Sequence, residues 1–171
     1  MQNKISDRIL FEILKPSPRI ILPEQGDLRI DKSIDKMKNM GLNILDSNDF
    51  QNNQEYINHI KNKKFTNNWT ESMLNDFVSD PLNKGLINLD LDYADCLVAG
   101  AVSSTAEVIK SSIRIIGINK KSKWVSSSFF LTSPNGNRSF TYSDCGVIPE
   151  PSSEQLVSIA YEAASIHKML S

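Results

Sequence analysis

Two segments of this chain are built alike. Each has a short apolar run, a turn of small or stiff residues, and a helix start in which Ser is followed three positions later by Glu or Gln. The first is Asp95-Cys-Leu-Val-Ala-Gly-Ala-Val-Ser-Ser-Thr-Ala-Glu107, and the second is Asp144-Cys-Gly-Val-Ile-Pro-Glu-Pro-Ser-Ser-Glu-Gln155. A buried run that feeds a capped helix reads as a strand entering a helix. Strands alternating with helices in this way point to a layered α/β fold, a mainly parallel sheet flanked by helices.

The rest of the chain extends the pattern. Arg19-Ile-Ile-Leu-Pro23 reads as a strand ended by Pro, and Glu24-Gln-Gly-Asp27 as a turn whose Asp27 caps a helix reaching Met40. Leu42 to Leu45 is a second strand. Helices are expected from Phe50 to Lys64, from Trp69 to Val78 with Thr66 or Asn68 as cap, and from Leu82 to Leu91. Asp80-Pro81 separates the last two, because Pro disfavours helix in the residue before it. Asp95 to Val102 is expected as a buried strand. Ala106, Ile109, Ile113 and Ile116 form the apolar face of the helix that follows. Pro134-Asn-Gly-Asn137 lies between two strand-like runs and signals an antiparallel hairpin near 124–146. Leu156, Ile159, Ala160, Ala163, His167 and Leu170 give the last helix its stripe, and Ile5, Ile9, Leu10 and Ile13 suggest a short amphipathic helix at the start. The expected division is an α/β lobe over 1–116 and a partial second lobe, hairpin plus helix, over 117–171.

Bulk properties exclude several classes. Net charge is −1 and no run of five basic residues occurs, so neither nucleic acid nor an anionic membrane surface is an expected partner. No stretch of 18 apolar residues could span a membrane, and Asp7 and Glu12 interrupt what would be a secretory core, so the expected location is the cytoplasm. Cys96 and Cys145 lie in apolar segments without a Cys-x-x-Cys spacing or a neighbouring His, which favours buried thiols over a disulfide or a metal site. His59 and His167 sit in helical patterns and read as structural. No nucleophile elbow, phosphate-binding Walker loop, dinucleotide fingerprint or zinc-protease motif is present.

The residues that could carry chemistry sit in the two opening segments. Ser103, Ser104 and Thr105 put three hydroxyls at a helix start, where unpaired N–H groups and the helix dipole favour an anion such as phosphate. Lys110, farther along that helix, could add positive charge. The plainer alternative is that Ser104 only caps the helix and Lys110 faces water. Ser126, Ser127 and Ser128 are unusual in the middle of a strand and mark either an exposed edge or a polar site. Asp144 could orient a loop or act as a base.

Taken together these residues resemble the phosphate acetyltransferase and phosphate butyryltransferase family. The similarity begins at Leu22-Pro-Glu24 with Asp27 and Arg29. It runs through Asp80-Pro81, Gly85 and Ala94-Asp95 into Val98-Ala-Gly-Ala-Val102 and Ser104-Thr105-Ala106. It resumes at Val125-Ser-Ser127, Phe129-Phe130, Asp144-Cys145, Val147, Pro149, Pro151 and Glu154-Gln-Leu156. The resemblance implies an isocitrate-dehydrogenase-like two-lobed α/β fold, incomplete here, with a cleft active site. It also implies acyl transfer between acyl phosphate and coenzyme A, with coenzyme A as substrate and no bound cofactor. Ser103, Ser104, Thr105, Lys110, Ser127 and Asp144 are then the substrate-binding candidates. The implied assembly is a homo-oligomer or a complex with a complementing chain.

The chain also departs from the family pattern. Ser103 stands where the family has His, Lys110 and Ile60 where it has Arg, and Ile148 where it has Asn before Pro149. Family members are expected to continue for a comparable length beyond the position of Ser171, in a half that supplies a Ser-Arg pair and an aspartate base. Two readings stay open on these residues: an acyltransferase, or a non-catalytic relative that binds phosphate or coenzyme A or assembles with a partner.

Overall fold

The computed structural model describes residues 17–46, 52–120 and 122–171, together with Ile5, Ile9 and Glu12. Two compact units emerge: Pro16–Gly117 forms one, and Ile118–Ser171 with the start of the chain forms the other. Ile5, Ile9 and Glu12 are helical; Leu10 and Ile13 of the proposed amphipathic face, and Phe50 of the second expected helix, lie outside the described residues.

The first unit is built on a three-stranded parallel sheet of order β2-β1-β3, with β1 at Arg19–Ile21, β2 at Asn43–Ile44 and β3 at Cys96–Leu97. Register pairs Ile20 with Ile44 and Cys96, and Ile21 with Leu97. Strand side chains alternate between faces, so one register fixes both layers. Ile20 and Ile44 pack with Ile30 and Ile34 of helix α1 (Leu28–Asn39), and Cys96 lies against the same cluster. On the other face Leu97 packs against a larger core made by α2 (Asn53–Ile60), α3 (Glu71–Ser79), α4 (Pro81–Asp90) and α5 (Thr105–Ile115). Tyr56, Ile60, Val78, Leu86, Ile87 and Ile115 are its fully buried centre. A sheet covered on both faces is the normal home of parallel strands. The edges are pinned by charge: the Asp95 carboxylate accepts the Arg19 main-chain N–H at 2.6 Å and its guanidinium at 2.8 and 3.0 Å.

The second unit is an antiparallel hairpin, β4 (Ser128–Thr132) with β5 (Ser139–Ser143), and helix α6 (Ser153–Leu170). The Asn-Gly turn is a loop closed by the Ser133 N–H on the Arg138 carbonyl at 2.8 Å, with Gly136 at φ 73°. Phe130 and Thr141 meet α6 at His167, whose Nδ1 lies 3.0 Å from Thr141 Oγ1 and whose ring is 5.9 Å from that of Phe130. The alternate positions Phe129, Leu131, Phe140 and Tyr142 share the opposite face and are exposed, Phe129 and Tyr142 each at 60%. Among the described residues, no helix is long and apolar enough to cross a membrane.

The element order matches the sequence expectation, and four details differ. The cap of α3 is Thr70, whose hydroxyl accepts the Met73 N–H; Thr66 instead turns its hydroxyl to the carbonyls of Ile60 and Lys63 at 2.8 Å and closes a 3-10 turn. The expected strand Asp95–Val102 is reduced to Cys96–Leu97, half-buried, with Val98 and Val102 exposed. The buried side of α5 is Val108 and Ile115, while Ala106, Ile113 and Ile116 are exposed. That helix carries two apolar stripes, and periodicity cannot say which one meets α4. In α6, Ile159 is buried and Ala163, His167 and Leu170 are half-buried, while Leu156 and Ala160 face outward.

Gly85 shows how tightly α4 lies on the sheet. A Cβ built there would stand 2.8 Å from Leu97 Cδ1, 3.2 Å from Pro23 Cβ and 3.4 Å from Ile21 Cγ2. Glycine costs helix stability, so its place here is a close approach and not a propensity choice. Gly85→Val is expected to cost about 1–3 kcal/mol by forcing α4 off the sheet. Urea denaturation would show this, and a variant as stable as the parent would contradict the packing.

Candidate functional site

The first candidate segment leaves β3 and turns sharply. The Val98 N–H still bonds the Ile21 carbonyl at 2.9 Å; after it, Gly100 adopts φ 109° and the chain departs from the sheet. From there four successive N–H groups converge on one carboxylate, that of Glu24. Gly100 donates to both its oxygens at 3.2 and 3.1 Å, Ala101 to Oε2 at 2.8 Å, and Val102 and Ser103 to Oε1 at 3.1 and 2.7 Å. Glu24 is only 8% exposed. Burial by itself would raise its pKa, but the N–H groups of Ser103, Ala101 and Val102 outweigh that and hold the carboxyl at about 2. Arg29 fastens the loop from its carbonyl side: Nη2 donates to the Ala101 carbonyl at 2.7 Å while the guanidinium stays paired with Asp27.

Helix α5 then begins with a complete capping box. Ser104 Oγ accepts the Glu107 N–H at 3.3 Å and donates to Glu107 Oε2 at 2.7 Å, which also accepts the Ser104 N–H at 2.8 Å. Ser103 is half-buried, whereas Ser104, Thr105 and Lys110 are exposed, with Lys110 on the second turn. The four N–H groups that sequence reasoning would offer to a phosphate before this helix are thus engaged by Glu24. With the Ser104 hydroxyl spent on the cap, what the helix start still presents to solvent is the Thr105 hydroxyl and the Lys110 ammonium. Glu24 stood out in the sequence only as part of a Leu-Pro-Glu run. Its partners lie 76–79 residues away, so no local signal marks its role.

In the second unit Ser127 and Asp144 do come together. Asp144 Oδ1 accepts the Ser127 N–H at 2.9 Å and its hydroxyl at 2.7 Å; Oδ2 accepts the N–H groups of Val147 and Ile148 at 3.1 and 2.6 Å. Ser127 Oγ in turn accepts the Cys145 N–H at 3.0 Å, and Ser143 Oγ donates to the Ser127 carbonyl at 2.6 Å. Ser126 and Ser127 precede β4 instead of lying in it. Burial opposes ionisation of Asp144, yet Ser127 and the Ile148 N–H bring its pKa to about 2. This carboxylate orients the loop toward α6 and is a poor proton acceptor at neutral pH.

Other titratable groups are committed to structure. His59 Nε2 lies 2.6 Å from Asp90 Oδ2, and Lys63 bonds the same oxygen while donating to the Ile115 carbonyl at 2.8 Å, the last residue of α5. Cys96 and Cys145 are free thiols, both half-buried, and the Cys145 thiol donates to the Tyr142 carbonyl at 3.3 Å. Among the described residues no group of three His, Cys, Asp or Glu could hold a metal ion. A groove of about 590 Å³ runs along β5 and α6, lined by Phe140, Tyr142, Ala163 and His167; it includes neither Ser127 nor Asp144.

Glu24 and Asp144 both ionise more easily folded than unfolded, where carboxylates titrate near 4. Groups with depressed pKa stabilise above the unfolded value and lose that contribution as pH falls through the folded one. Tm is therefore expected to fall steeply between about pH 5 and pH 2. Glu24→Gln and Asp144→Asn should each flatten that fall and lower Tm at neutral pH. Calorimetry across this range checks it, and curves parallel to the parent's would count against both assignments.

The chain is 28% identical over 179 residues to a phosphate acetyltransferase of Acetivibrio thermocellus, an alignment covering 88% of this chain and 54% of the relative. It is 43% identical over 90 residues to a phosphate acetyltransferase of Treponema pallidum, covering 50% of this chain and 27% of the relative. The fold matches the crystal structure of a phosphotransacetylase from Streptococcus pyogenes with a TM-score of 0.78 at 19% identity, over 95% of this chain and 59% of that one. The chain thus spans about half the length of the first of these relatives. The model of the family described as Phosphate acetyl/butaryl transferase matches residues 19–171, from the first residue of β1 to the end of the chain, and the protein belongs to that family.

Proposed function

We propose that this chain serves acyl transfer between an acyl phosphate and coenzyme A, with the start of α5 facing the phosphoryl group. The observation that carries the reading is the family match over 19–171 together with the exposed Thr105 hydroxyl and the free-standing Lys110 at one helix start. Phosphoryl oxygens are served there by the Thr105 hydroxyl, the helix dipole and a lysine charge. The thiolate of coenzyme A attacks the acyl carbon and a C–S bond forms. The C–O bond to phosphorus then breaks, and phosphate leaves with the electron pair. The thiol proton goes to a base other than Asp144, whose two oxygens already accept four hydrogen bonds. Coenzyme A enters as a substrate, and the reading places the protein in the cytoplasm. Lys110 supplies charge without the two-pronged geometry of an arginine, so its grip on phosphate is that of a point charge.

The test is acetyl-CoA formation from acetyl phosphate and coenzyme A by the purified chain. The expected rate lies above the no-protein background. Lys110→Ala is expected to raise KM for acetyl phosphate about tenfold, the equivalent of about 1.4 kcal/mol, while Lys110→Arg keeps it near the parent value. A folded chain that forms no acetyl-CoA would overturn the reading for this chain acting by itself.

The same reading includes assembly with a second copy. Phe129, Leu131, Phe140 and Tyr142 put four large apolar side chains on the outer face of the hairpin, and a two-stranded sheet gains little stability unless such a face is covered. Sedimentation velocity is expected to show a species larger than the 19.2 kDa chain, and Phe129→Asp with Tyr142→Asp should return it to monomer. A parent chain that stays monomeric at high concentration would refute self-association.

A further inference from the structure

The turn before α5 has an unusual economy: its anion is part of the chain. We propose that Gly100–Ser103 form a backbone anion nest whose resident ligand is the Glu24 carboxylate. Glu24 is thereby a positioning residue that fixes the start of α5, and a small free oxyanion takes the nest when the carboxylate is removed. Successive N–H groups that point into one concavity bind anions in general. Here five contacts of 2.7 to 3.2 Å saturate both oxygens of a side chain that is 8% exposed. The carboxylate rides at the end of β1, just past Leu22, which is fully buried, and Pro23, so its position is set by the sheet. Arg29 closes the opposite side of the loop through the Ala101 carbonyl. With N–H and C=O sides both held, the loop presents Ser103, Ser104 and Thr105 in one arrangement. Without Glu24 four main-chain donors would lose their acceptor at once.

The nest also sorts anions by place. In the parent chain a phosphate group meets a filled nest, so it contacts only the Thr105 hydroxyl and Lys110 beyond it; this part of the inference rests on the proposed acyl-phosphate reading. The nest itself does not depend on that reading.

Both parts can be read from amide signals in 15N-labelled protein, with Glu24→Ala and Glu24→Gln as variants and sodium formate and sodium phosphate as probes at equal ionic strength against sodium chloride. In Glu24→Ala, formate is expected to move the amides of Gly100–Ser103 back toward their parent positions and to raise Tm. In the parent and in Glu24→Gln, whose amide still fills the space, it should do neither. If Glu24→Ala shows no cooperative unfolding in chloride, formate is expected to restore it. Glu24→Gln by itself is expected to speed hydrogen exchange at Gly100–Ser103 at least tenfold more than at the core amides of Leu86 and Ile87. Formate acting equally on all three proteins, or exchange at the loop unaltered in Glu24→Gln, would refute the nest. Failure of inorganic phosphate to move the Ser104, Thr105 and Lys110 amides of the parent would instead sink the phosphate reading and leave the nest standing.

Discussion

The contact between the Glu24 carboxylate and the N–H groups of Gly100–Ser103 joins the end of β1 to the start of α5. A carboxylate taken out of water costs several kcal/mol unless its charge is answered, and main-chain donors that turn away from a sheet cost nearly as much when left unpaired. Each satisfies the other. Because β1 is the central strand, the same contact transmits the position of the sheet to the helix that carries the candidate residues. The brevity of β3 follows: once the N–H groups from Gly100 onward are drawn to Glu24, they cannot continue the ladder with β1.

The second unit repeats the device on a smaller scale. Asp144 gathers two loop N–H groups together with the N–H and the hydroxyl of Ser127 around one carboxylate, and the chain then enters α6 through a second capping box. Both segments therefore use an internal anion to shape a turn before a capped helix. Neither carboxylate is available for proton transfer, since each has its oxygens occupied and its pKa held at about 2. Polar residues that look catalytic in a list prove to be the framework on which the exposed ones stand.

A sheet with strands of two and three residues is too small to organise a core through its own hydrogen bonds. Most of the first unit's buried apolar surface lies between helices, where Tyr56, Leu86, Ile87 and Ile115 pack, and Gly85 lets α4 approach the strands closely. The Tyr56 hydroxyl donates to Asn88 Oδ1 at 3.0 Å inside this core. Lys63, bridging Asp90 and the Ile115 carbonyl, ties the far end of α5 to α4, which leaves that helix held at both ends.

Local chemistry made much of this legible without coordinates. Asp27, Ser104 and Ser152 announce their helices because a cap bonds residues two or three positions away, and Asn-Gly announces the hairpin for the same reason. The family, too, was readable from the order and spacing of short motifs. Elsewhere local pattern misled: Thr66 and Asn68 stood as caps where Thr70 serves, and Ala106, Ile113 and Ile116 stood in the inward stripe of α5 where Val108 and Ile115 pack. The sequence by itself determined the elements, their order and the caps at Asp27, Ser104 and Ser152, since those depend on neighbours along the chain. Only the tertiary structure decided that Glu24 fills the turn before α5 and that Asp144 is spent on Ser127 and its own loop. The contacts of Glu24 with Gly100–Ser103 and of Asp144 with Ser127 join residues far apart in sequence, and most of their donors are main-chain N–H groups, which every residue except proline carries.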